Sequence, residues 1–157
     1  RYRFLDKLFH DEFFSDEEIT SEEQISNCIR VFINEGILVP DPAGMDMLNL
    51  TSRGLRKLKW FAAFMLPFLE SYKTALLYFE KETKVPTDEK EMAKKIHSHG
   101  IKLYKRKQVA LKESLSLVNY RNAARFFSRN GINGSEDQIQ IDYYKQIITR
   151  LIRVIGS

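Results

Sequence analysis

The chain has 157 residues, 43% of them apolar and 29% charged, and a formal charge of +4. That apolar share supports a packed core and excludes a disordered chain, while seven glycines and four prolines are too few for an architecture of many short strands and turns. A single cysteine, Cys28, excludes a disulfide framework and a multi-cysteine metal site, and no apolar run reaches the roughly 20 residues that cross a bilayer.

The opening residues Phe4, Leu5, Leu8, Phe9 and Phe13 recur at helical spacing. There is no basic-then-apolar leader, and the chain enters this pattern directly at Arg1, as expected of a piece of a longer protein. Thr20 with Glu23, or Ser21 with Gln24, forms a capping box for a second helix. That helix carries Ile25, Cys28, Ile29, Phe32 and Ile33 on one side, where Cys28 reads as a small core residue, and Gly36 ends it. Ile37–Val39 and Met47–Leu50 are short strands around a Pro40–Gly44 turn.

Thr51 and Ser52 supply cap chemistry for a long helix in which Leu55, Leu58, Ala62, Met65, Leu69, Tyr72, Leu76 and Phe79 form one apolar seam. Pro67 is expected to kink it. Trp60 to Leu69 is uninterrupted by a polar side chain, which places this part either in the core or against something apolar outside it, the core being the expected place. Asp88 with Glu91 starts the next helix, which holds Met92, Ile96, Leu103 and Tyr104, and its Gly100 signals close packing or a bend. A further helix runs from about Ser116 to Asn130, with Leu117, Tyr120, Ala124 and Phe127 on one face. Ser135 with Gln138 caps the last, whose face is Ile139, Tyr143, Ile147, Ile148, Leu151, Ile152 and Ile155. The expected fold is therefore mainly α, a bundle of about six helices with one small hairpin and a winged-helix-like N-terminal part. It is expected as one domain over 1–157, with sub-units 1–82 and 83–157 as a further division. Two helices end alike, in Asn34-Glu35-Gly36-Ile37 and Asn130-Gly131-Ile132, which by itself establishes no repeat.

Charge is unevenly placed. Between Asp11 and Glu23 there are seven acids and no Lys or Arg, whereas between Lys94 and Lys112 there are seven bases, two histidines and no acid. The basic stretch either attracts phosphates or lipid headgroups, or is a solvated face paired with acids elsewhere. A winged-helix regulator reads DNA with a basic helix and wing, but here Glu22 and Glu23 open the helix, Arg30 is its one base, and the wing carries Asp41 and Asp46. That electrostatic pattern disfavours nucleic acid as a partner. His10 and Asp16 have five residues between them, one more than an acyltransferase His–Asp dyad allows, and Ser15 stands at the required position. His97 and His99 are two apart on a helix and face different ways, so neither a metal pair nor a catalytic constellation emerges: the expected catalytic, cofactor-binding and metal residues are none.

The segment Met65-Leu66-Pro67-Phe68-Leu69-Glu70-Ser71-Tyr72 resembles the Pro-Phe-x-Glu-Ser/Ala-Tyr segment in the C-terminal region of membrane-associated glycerol-3-phosphate acyltransferases. The order of the remaining elements is similar to that family: the Phe32–Leu50 hairpin region, the Gly step in Ile96–Leu103, Ser114 through Asn122 and Ala123 to Gly131-Ile132, and the apolar Ile139–Ile155 end. The resemblance implies a parent enzyme that transfers a fatty acyl group from acyl-CoA or acyl carrier protein to glycerol 3-phosphate in phospholipid synthesis. It implies a missing N-terminal acyltransferase domain bearing the His-x4-Asp motif, and a peripheral place on the cytoplasmic side of the membrane, this piece by itself being soluble and inactive. No cofactor follows from it. Trp60, Phe61, Phe64 and Phe68 are the candidates for an apolar membrane or inter-domain contact, and Lys94, Lys95, Lys102, Lys105, Arg106 and Lys107 for anionic headgroups. A DNA-binding regulator or a non-catalytic helical adaptor is the alternative.

Overall fold

The structure, a computed structural model, describes residues 22–44 and 47–156. The expected opening helix, His10, Ser15, Asp16 and the Thr20/Ser21 capping box lie outside the described residues. The described elements are α1 (Glu22–Asn34), β1 (Leu38–Pro40), β2 (Leu48–Leu50), α2 (Ser52–Ala62), α3 (Leu66–Lys81), α4 (Glu89–Lys105), α5 (Leu117–Arg129) and α6 (Gln138–Gly156). The chain is mainly α with one small antiparallel hairpin, as expected. Its described residues form two compact units that meet in sequence at Phe64 and Met65.

In the first unit, α1 closes with a Schellman motif: Gly36 takes φ +66°, its amide donates to the Ile33 carbonyl, and the Ile37 amide reaches back to Phe32 at 2.8 Å. Ile37 is thus the buried residue that follows the cap, and β1 begins one residue later than expected. β1 and β2 pair Leu38 with Leu50, Val39 with Asn49 and Pro40 with Leu48. In the turn between them, Asp41 accepts from the Ala43 amide at 2.8 Å and from Asn49 Nδ2 at 2.9 Å. These two donors, the amide first, hold its carboxyl below the usual value. Thr51 then joins the hairpin to both helices. Its hydroxyl donates to the Gly36 carbonyl at 2.8 Å and accepts from the Gly54 amide at 2.8 Å, which is the N-cap expected for α2.

The expected single long helix is two. Beyond the Ala62 end of α2, Ala63–Met65 tightens into a 3-10 turn and α3 starts afresh at Leu66, with Pro67 in its first turn. A proline in mid-helix loses a backbone bond and crowds the preceding turn, whereas in the first turn its missing N–H has no intrahelical acceptor to serve. Pro67 therefore begins a helix rather than kinking one. The apolar seam divides at the same place: Leu69, Tyr72, Leu76 and Phe79 are fully buried, while Leu55 is exposed and Leu58 and Ala62 are half-buried.

In the second unit α3 is the central helix and packs against α4, α5 and α6, while α4 also packs on α5. Aromatic edges lock it to α5, with Tyr72–Phe127 at 5.8 Å and Phe79–Phe127 at 6.2 Å between ring centroids. Asp88 caps α4 by accepting the Glu91 amide at 2.7 Å, and Ser116 caps α5 through the Asn119 amide at 3.3 Å. The expected Ser135 cap is not formed. Ser135–Asp137 is a 3-10 turn in which the Ser135 amide donates to the Glu82 carbonyl and Asp137 accepts the Asn133 amide, so α6 begins only at Gln138. The buried side of α6 is shifted accordingly: Ile141 and Ile148 are fully buried, whereas Ile139 is 85% exposed. α5 ends in a second Schellman motif at Gly131, φ +81°, followed by fully buried Ile132. The shared Gly-Ile ending is thus the same cap used twice, with the isoleucine supplying its hydrophobic contact.

Gly100 is a close approach. A Cβ there would sit 2.4 Å from the Tyr120 hydroxyl and 3.2 Å from Thr74 Cγ2. The Tyr120 side chain is fully buried, and burial, outweighing a contact with Thr74, pushes its pKa up to about 12. Gly100→Ala is expected to destabilise the chain by about 2 kcal/mol, overpacking outweighing the gain in helix propensity. Added to Tyr120→Phe, which removes the clashing oxygen, it should instead be neutral or stabilising, and a double-mutant cycle by urea unfolding checks this. The same tyrosine gives a pH signature. The unfolded chain releases a phenol proton near pH 10 and the folded one near 12, so stability is intact below 10 and falls as pH rises between the two. Tyr120→Phe should make that alkaline loss smaller.

Candidate functional site

Three features were singled out in the sequence, and each now has a place. In the Pro67–Tyr72 segment at the head of α3, Pro67 starts the helix and Tyr72 is fully buried against Phe126 and Phe127. Glu70 faces the connection between α4 and α5. Its carboxylate accepts the Ala110 and Leu111 amides, each at 3.0 Å, and the Ser114 hydroxyl at 2.7 Å. The Ser71 hydroxyl lies 2.8 Å from the Ser114 carbonyl and 2.7 Å from that of Pro67, and it accepts from Asn119 Nδ2 at 3.4 Å. Glu70 and Ser71 together bind a segment forty or more residues further along the chain. The geometry is that of a clamp: a carboxylate satisfying otherwise orphaned amides.

The second feature is the aromatic segment. Trp60 is 76%, Phe61 52% and Phe64 60% exposed, so the expected core placement fails for these three. Phe68 is half-buried and packs against the core of the second unit. The reason is the 3-10 turn at Ala63–Met65, which interrupts the register that would have carried one buried stripe through both helices. Trp60 and Phe61 lie edge to face with centroids 5.4 Å apart. Cys28 is likewise exposed rather than in a core, because among the described elements only β1 makes more than a sparse contact with α1.

The third feature is the basic stretch. Lys94, Lys95, Lys102, Lys105, Arg106 and Lys107 are all exposed. Among the described residues only Lys95 of this set forms an ion pair, with Glu91 one turn earlier at 3.2 Å. The other five stand in solvent without an acid partner among the described residues. Acids do pair with other cations, as in the two-pronged Arg125–Glu89 contact at 2.9 Å and 3.2 Å and Lys145–Glu80 at 2.6 Å. Lys107 closes α4 in a third Schellman motif, at φ +60°, where a glycine is the usual residue. His97 and His99 do face different neighbours, Tyr120 and Tyr78, at centroid distances of 6.0 Å and 6.1 Å. Among the described residues no group of three His, Cys, Asp or Glu side chains could hold a metal, and no helix is long and apolar enough to cross a membrane.

What these features define is a helical domain whose Pro67–Tyr72 segment builds its own scaffold and in which Trp60, Phe61, Phe64 and the basic side chains lie exposed. Residues 1–136 match the family model of the glycerol-3-phosphate acyltransferase C-terminal region, and the chain belongs to that family. The match ends before α6 begins at Gln138. No curated protein and no solved structure gives a significant match.

Proposed function

We propose that the chain is the helical C-terminal part of a glycerol-3-phosphate 1-O-acyltransferase of phospholipid synthesis, and that its task is docking rather than chemistry. In the parent reaction the glycerol 3-phosphate hydroxyl attacks an acyl thioester, from acyl-CoA or acyl carrier protein. The new C–O bond replaces the C–S bond, and the hydroxyl proton passes by way of a general base to the departing thiol. The base belongs to the N-terminal acyltransferase domain of the parent, which supplies the His-x4-Asp pair, and this chain alone is inactive. It packs on that domain and helps seat the enzyme peripherally on the cytoplasmic face of the membrane.

The observation that carries this reading is the exposure of Trp60, Phe61 and Phe64 on consecutive turns. Aromatic side chains presented from a helix partition to the boundary between headgroups and acyl chains, and exposed lysines add attraction to anionic lipid. Phe68, Lys94, Lys95, Lys102, Lys105, Arg106 and Lys107 complete the proposed contact set. Vesicle flotation tests it. The chain should float with anionic vesicles at low salt, and Trp60→Ser with Phe61→Ser should cut the bound fraction several-fold while leaving the melting temperature within about 2 °C. Equal flotation of the variant would remove the aromatic segment from the account.

A further inference from the structure

A cleft of about 430 Å³ opens between the C-terminal end of α3 and one face of α4. Lys81 enters it from α3, and Lys94, Lys95 and Lys102 from α4, against two acids, Glu82 and Glu91. Glu91 is engaged by Lys95 at 3.2 Å. Lys81, Lys94 and Lys102 have no ion-pair partner among the described residues, so three ammonium groups face one concavity with only Glu82 to offset them. His99 forms part of the same wall, its ring held edge to face by Tyr78 at 6.1 Å. Like charges gathered around a half-buried group are costly unless an anion joins them. At His99, burial first, then Lys81 and Lys102, with Arg106 adding and Glu82 opposing, hold the imidazole below its usual value. Near neutrality the ring is uncharged and keeps one N–H to donate.

We propose that this cleft binds a phosphate group, with Lys81, Lys94 and Lys102 supplying charge and His99 a hydrogen bond. A compact dianion suits ammonium groups, which bind phosphate as point charges, and the cleft is wide enough for a phosphate monoester with its small organic substituent. The inference rests on the cleft alone and stands or falls apart from the aromatic contact proposed above. A soluble phosphate and a lipid headgroup share the chemistry, and the test separates them.

The His99 ring resonances of the whole chain report occupancy, because a bound dianion favours the imidazolium. Inorganic phosphate should shift His99 saturably and raise its titration midpoint, while the sulfonate of a zwitterionic buffer does not. Lys94→Gln with Lys102→Gln should weaken this response about tenfold. Glu82→Gln should strengthen it several-fold, a gain that no loss of folding can mimic. Flotation on phosphatidylcholine vesicles with and without phosphatidic acid is the second arm. A gain with phosphatidic acid that disappears in the Lys94/Lys102 variant, in a chain still carrying Trp60 and Phe61, assigns the cleft to a headgroup. Saturable binding of free phosphate without that gain assigns it to a soluble ester. A shift that is linear in phosphate, or unchanged in the lysine variant, together with flotation indifferent to phosphatidic acid, would overturn the proposal.

Discussion

Replacing Glu70 with alanine is expected to destabilise the chain by about 3 kcal/mol, read as a fall in the urea midpoint at unchanged slope. The carboxylate receives two backbone amides and one hydroxyl from the Ala110–Ser114 segment. Alanine leaves all three donors without their acceptor, and the Ser114 side chain is fully buried, where water cannot replace the lost bond. Charge-assisted bonds contribute about 1.5–3 kcal/mol each, but part of this site is open to solvent, so the sum is discounted. Glu70→Gln keeps one acceptor oxygen and should lose roughly half as much. Hydrogen exchange should quicken at Ala110 and Leu111 before anywhere else in the second unit. A loss below about 0.5 kcal/mol would mean that the segment holds itself, and the clamp assigned to Glu70 would be wrong.

Gly54→Ala should be equally severe for the other unit. Its Cβ would fall 2.2 Å from the Ile37 carbonyl oxygen and 2.8 Å from the Ile37 carbonyl carbon and Cα. These are backbone atoms of a buried residue that is also tied to Thr51, whose amide donates to the Ile37 carbonyl at 3.1 Å. No rotamer change relieves the overlap. Helix propensity returns at most about 1 kcal/mol, against an overpacking cost of about 3 kcal/mol or more. The expected result is loss of amide protection at Ile37 and Thr51 while the α3–α6 core keeps its own. Unchanged protection at those two amides would show that the approach of α2 to the hairpin is looser than described.

What could be read from the sequence was local, and what could not was tertiary. Thr51 and Asp88 announced their helices because an N-cap is chemistry between residues three apart, whereas the Ser116 cap shows only in its hydrogen bond. The two Gly-Ile endings were legible for the same reason, although only the hydrogen bonds show that both are Schellman caps. Pro67 was misread because its effect depends on where the helix starts, and that start is set by the 3-10 turn at Ala63–Met65. Trp60, Phe61 and Phe64 were expected in a core because an apolar run says nothing about what lies opposite it. The Pro67–Tyr72 segment was recognisable from its residues, but its role was not, since the groups bound by Glu70 and Ser71 lie forty and more positions on. Lys81 was missed altogether. It stands outside the dense run from Lys94 to Lys112, and only the packing of α3 on α4 brings it to the same cleft; a lysine in the last turn of α3 was the one available signal.

On the proposed reading, this family member contributes contact surfaces to an acyltransferase whose chemistry is done elsewhere in the parent. The most direct measurement is the rate of acyl transfer to glycerol 3-phosphate by the membrane-bound parent enzyme carrying Trp60→Ser and Phe61→Ser. Burial of two such aromatic side chains is worth a few kcal/mol, so the membrane-bound rate should fall by about tenfold or more, while the melting of the 157-residue chain is unchanged. Full activity and full membrane recovery of that variant would contradict the claim.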